Sequence, residues 1–64
     1  MTTDEAMRDA LSKHPDCTHA EWRNGMNQFF QATIVVLLWR NEECYLAGDP
    51  PRYEVEGYPL GTDS

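Results

Sequence analysis

Residues 32–39, ATIVVLLW, constrain this chain more than any other stretch. The run is uncharged, rich in β-branched and aromatic residues and bounded by polar ones, which predicts a strand. Side chains alternate along a strand, so Ile34, Val36 and Leu38 point one way while Val35, Leu37 and Trp39 point the other. Both sets are apolar, and both faces of the strand therefore need cover. The run is too short to cross a bilayer as a helix, which takes about 20 residues. No membrane role is expected.

The remaining sequence has little with which to supply that cover. A chain of 64 residues makes one domain, near the lower limit of independent folding. A core of this size provides about 3–5 kcal/mol unless a disulfide, metal or partner adds to it. The N-terminal stretch TTDEAMRDALSKHP predicts a helix over about 3–13: Thr2 and Glu5 have capping-box spacing, and Ala6, Met7, Ala10 and Leu11 form one apolar stripe. Pro15 ends it, because the residue before a proline avoids helical geometry. Thr18 and Glu21 repeat the capping pattern. Trp22, Met26, Phe29 and Phe30 follow at helical spacing, predicting a second helix over about 19–29 against the opposing hairpin signal of Asn24-Gly25.

ECYLA and RYEVE supply two further strand candidates, at about 43–47 and 52–56, with turns at Asn41-Glu42 and at the GDPP between them. The expected fold is α+β: two short N-terminal helices packed on a three-stranded antiparallel β-sheet, with a tail over 58–64. Two helices cover one face. The other calls for that tail, a second copy of the chain in a homodimer, or a partner.

Charge is where the sequence points toward function. The net charge is −6, which repels nucleic acid and anionic lipid and favours basic surfaces. Residues 1–38 carry five acids and three bases, residues 39–64 six acids and two bases. In the predicted hairpin Tyr45 faces Glu54 and Glu43 faces Glu56. Tyr53 and Val55 then point to the core. Glu54 and Glu56 stand about 6.7 Å apart along their strand, of the order of the spacing of neighbouring backbone phosphates. Glu42 and Asp49 extend the ridge, with two tyrosines, Tyr45 and Tyr53, close by; Tyr45, placed among the acids, has the setting of an interface anchor. Charge on strand edges commonly serves only to prevent aggregation. Here the acids occupy strand-forming sequence, oppose one another across the sheet and have few basic neighbours, which points to a docking face.

No motif indicates catalysis. His14, Asp16, Cys17 and His19 in HPDCTH are metal-ligand types, but their spacing matches no common zinc pattern. Cys17, Cys44, Ser12 and Ser64 lack a nucleophile elbow or glycine-rich loop. Neither a cofactor, a metal nor a catalytic residue is expected. Met1 with no basic, apolar leader reads as the start of an intact cytoplasmic product, where the two cysteines stay reduced; a Cys17–Cys44 bridge is the alternative in an oxidising compartment.

Acidic in its second half, NEECYLAGD and YEVEG above all, and single-domain throughout, the chain resembles the small acidic inhibitors of host defence made by bacteriophages, notably DNA-mimicking anti-CRISPR proteins. The resemblance is one of overall profile, because that group shares no motif. It implies a non-enzymatic inhibitor acting in the host bacterial cytoplasm that binds no nucleic acid itself. Glu42, Glu43, Asp49, Glu54 and Glu56 would meet the basic site with which a CRISPR effector reads DNA or its PAM. A repair glycosylase or polymerase offers the same kind of target. A homodimeric structural or assembly protein using the apolar strand 34–38 is the alternative from another class.

Overall fold

The computed structural model describes residues 1–60. In chain order these form α1 (Thr3–Lys13), β1 (His19–Met26), β2 (Ala32–Trp39), α2 (Glu42–Leu46) and β3 (Tyr53–Pro59). The sheet is antiparallel in the order β1-β2-β3, with the apolar run at its centre. The α+β class, the three-stranded sheet and the N-terminal helix are as expected. Two elements are not.

α1 starts on the anticipated capping box. Glu5 N donates to Thr2 Oγ1 at 3.1 Å and Thr2 N donates to Glu5 Oε1 at 2.9 Å. The helix buries Ala6 and Ala10 completely against Ile34, Val36 and Leu38, with Cys17 and Tyr58 completing the core. Alanine at both contact positions lets the helix axis lie close to the sheet, while Met7 and Leu11 seal its flanks. Tyr58, expected in an irregular tail, lies in β3, and its hydroxyl donates to Asp9 Oδ2 at 2.7 Å.

The predicted helix over 19–29 is instead β1. A strand that is apolar on both faces has unpaired backbone on both edges, and β1 pairs with all eight residues of β2, from His19 with Trp39 to Met26 with Ala32. Thr18 serves the sheet rather than a cap: its N–H and hydroxyl both donate to the carbonyl of Arg40. Trp22, Met26, Phe29 and Phe30 match the helical period by coincidence, and none is buried.

The chain reverses between β1 and β2 in a tight turn. Phe30 N donates to the Asn27 carbonyl and Asn27 N to the Gln31 carbonyl, each at 3.0 Å. Asn27 Oδ1 also accepts from Phe29 N at 2.8 Å and Gln31 N at 3.0 Å. This is a three-residue hairpin loop whose last position is left-handed, a place usually given to glycine. Phe30 occupies it at φ 60°, a conformation costing a non-glycine residue about 1–2 kcal/mol.

The predicted strand over 43–47 is α2. Asn41 caps it, accepting from Cys44 N at 2.9 Å, and Glu42 and Glu43 occupy the first turn, where the helix dipole favours acids. Gly48, at φ 83°, ends it. Glu43 therefore does not face Glu56, and the acidic hairpin of residues 43–56 does not form. The third strand begins where Arg52 N donates to the Leu38 carbonyl at 2.7 Å. It carries one bulge: Val36 pairs with Val55 and Ile34 with Tyr58, leaving Glu56 and Gly57 opposite Val35. Gly57 takes φ 101° there.

Candidate functional site

The face of the sheet opposite α1 is built from His19, Glu21, Arg23 and Gly25 of β1, Thr33, Val35, Leu37 and Trp39 of β2, and Glu54 and Glu56 of β3. The central residues of this open face are nevertheless buried: Val35 is 3% exposed, Trp39 7% and Thr33 8%. Their cover comes from within the described chain. Val35 and Thr33 lean over Gly25, where an added Cβ would meet Val35 Cγ2 at 2.6 Å. Arg23 reaches across the strand to Glu54 at 3.5 Å. At one end Tyr45 of α2 stacks on His19 at 4.3 Å and meets Trp39 edge-on at 4.9 Å. Trp39 Nε1 donates to the Asp49 carbonyl at 2.8 Å, tying the loop after α2 over the same end.

The apolar strand therefore does not offer the dimer surface envisaged for residues 34–38. Ile34, Val36 and Leu38 are fully buried beneath α1, and the opposite side is roofed by charged and aromatic side chains.

The acids expected to form one ridge divide into two groups. Glu54 and Glu56 lie exposed on the open face, while Val55 and Tyr53 turn to the core as the alternation predicts. Glu42 and Glu43 stand exposed on α2, and Asp49 follows in the loop. The two tyrosines are not free anchors. Tyr45 belongs to the aromatic cluster over Trp39. Tyr53 stacks on His14 at 4.2 Å and donates to Asp16 Oδ2 at 2.9 Å. Arg52 also binds Asp16, at 2.7 Å, and these partners, Tyr53 foremost, hold the Asp16 carboxyl below its usual range.

Glu21 was not anticipated. It stands on the open face beside His19, with Oε2 at 3.1 Å from His19 Nε2. Its signal is the polar alternation His19, Glu21, Arg23 along β1, which the aromatic spacing of the same segment masks. The face thus carries Glu21, Glu54 and Glu56 against a single guanidinium, Arg23, which Glu54 already engages. Electrostatically it is an anionic plane with a buried apolar floor.

At the far end from Tyr45 the hairpin tip displays Met26, Phe29 and Phe30, with Phe29 70% and Phe30 85% exposed. Between this tip and the β3 bulge lies a pocket of 470 Å³, lined among others by Met26, Phe29, Thr33, Glu56 and Gly57. Glu56 forms no ion pair among the described residues.

The residues of HPDCTH go to separate structural tasks. His14 stacks on Tyr53, Asp16 binds Arg52, Cys17 is buried in the core with its thiol pKa pushed up by burial, and His19 lies under Tyr45. Both cysteines are free thiols. Among the described residues no helix is long and apolar enough to cross a membrane. Compared with known proteins, the chain matches no family model, no curated protein and no solved structure.

Proposed function

We propose that this protein is a non-enzymatic inhibitor that sets its anionic sheet face against the basic nucleic-acid-binding site of a target protein. The target that best fits the resemblance drawn from the sequence is a CRISPR surveillance complex, blocked where it reads DNA or its PAM. The observation that carries the reading is the company of Glu21, Glu54 and Glu56 on the one sheet face that α1 leaves uncovered. Carboxylates on the two outer strands, either side of β2, present negative charge in two dimensions, whereas a solvated helix surface interleaves both signs. A rigid sheet also holds them at fixed spacing, which favours competition with a phosphate backbone. Glu42, Glu43 and Asp49 extend the field beyond the end closed by Tyr45.

Binding of this kind is fast at low ionic strength and weakens as salt screens it. The test begins with capture from bacterial lysate at low salt, elution by a salt gradient and identification of the bound protein. The purified target is then assayed for DNA binding with wild-type protein and with Glu54→Lys/Glu56→Lys. Wild type should displace DNA, and the double reversal should not, while keeping its fold because both side chains are exposed. Displacement that survives the reversal would remove this face as the site. A captured glycosylase or polymerase would keep the mechanism and change the target.

A further inference from the structure

We infer that the pocket between the hairpin tip and the β3 bulge receives an arginine side chain of the partner, an assignment that rests on the partner being basic. Its walls are of two kinds. Phe29 and Met26 supply an aromatic face and a polarisable thioether, and Glu56 and Thr33 supply a carboxylate and a hydroxyl. A guanidinium is the common side chain suited to both. Its plane stacks on an aromatic ring, its fork donates two parallel hydrogen bonds to a carboxylate, and it is more weakly hydrated than an ammonium. Lysine matches the charge but not the plane.

Three observations favour an occupant over a bare surface. The aromatic pair at the tip remains exposed instead of joining the core. The turn holds Phe30 left-handed, against its steric preference, by five hydrogen bonds through Asn27. On the other wall Gly57 opens the bulge beside Glu56, whose carboxylate lacks an ion pair among the described residues. Hairpin tip and bulge thus meet where the anionic face ends. A basic partner lying along Glu21 and Glu54 would bring its side chains to this opening, and the pocket would fix the register of docking.

The test titrates isotope-labelled protein with a short neutral peptide carrying one arginine, and with the same peptide carrying lysine instead. Amide shifts should centre on Met26, Phe29, Thr33 and Gly57, with a Kd on the order of 1 mM or tighter for arginine and several-fold weaker for lysine. Phe29→Ala and Glu56→Gln should each weaken the arginine peptide about tenfold, with the spectrum reporting an intact fold. Glu21→Gln should leave it unchanged. Shifts that spread over Glu21 and Glu54 and ignore Phe29→Ala would overturn the pocket while leaving the anionic face in place. Absence of binding would also overturn it, and the DNA-displacement assay would judge the face independently.

Discussion

The two faces of β2 solve the same problem by different means. Beneath α1, Ile34, Val36 and Leu38 are buried by a helix that contributes little more than two alanines at the contact, so close approach does the work. On the other side Val35 and Trp39 are buried almost as well, by glycine, a cross-strand ion pair and stacked rings. The first solution consumes an element and leaves nothing to display. The second takes only the short α2, and that at one end, and leaves its carboxylates outward. A chain this small obtains a core and an interface from one sheet because the central strand needs a full layer on only one side.

Neighbouring leucines probe the contrast most directly. Leu38 is fully buried under α1, and Leu37 is half-buried on the open face. Leu38→Ala should cost about 2–5 kcal/mol, comparable with the whole stability of a domain of this size, and leave much of the chain unfolded in the absence of denaturant. Leu37→Ala should cost about 1 kcal/mol. Equal losses in urea titrations would break the comparison. Gly25→Ala comes next. Its Cβ falls 2.6 Å from Val35 Cγ2, and a β-branched side chain has little freedom to yield, so about 1–3 kcal/mol of destabilisation is expected. A neutral result would mean that the open face is loosely packed.

The last effect lies at the edge of the covered face and is confined to high pH. Burial, with the Asp9 hydrogen bond second, pushes the Tyr58 hydroxyl from 10.0 up to about 12. The folded state therefore favours the protonated phenol. Its stabilising contribution is complete below pH 10 and is lost as pH rises toward 12. Denaturant midpoints followed from pH 8 upward should fall over that window, and Tyr58→Phe should flatten the fall.

What could be read from the sequence follows the same division. α1 was legible because its capping box, apolar stripe and the stop at Pro15 agree, and β2 because its run is β-branched and apolar on both faces. β1 was not, because its chance helical spacing of aromatics outweighs a weak polar alternation, and only the need of β2 for an edge partner decides between them. ECYLA has the composition of a strand, yet Asn41-Glu42-Glu43 is also an N-cap followed by an acidic first turn, and tertiary packing through Tyr45 selects the helix. The outward placement of Glu54 and Glu56 was legible because strand alternation alone sets it. Glu21 was missed with its strand, and Phe29 and Phe30 were read into a helical stripe that does not form.

The bulge in β3 has one more implication, concerning chain length. Val55 would align with Val36 and Tyr58 with Ile34 whether one residue or two stood between them opposite Val35. Gly57 is thus a single-residue insertion that the ladder does not require. A chain lacking it would keep every other partner and become a regular strand. Among related sequences, loss of that codon would preserve the fold while reshaping the wall beside Glu56, making this position a natural place for recognition to diverge without a change of architecture.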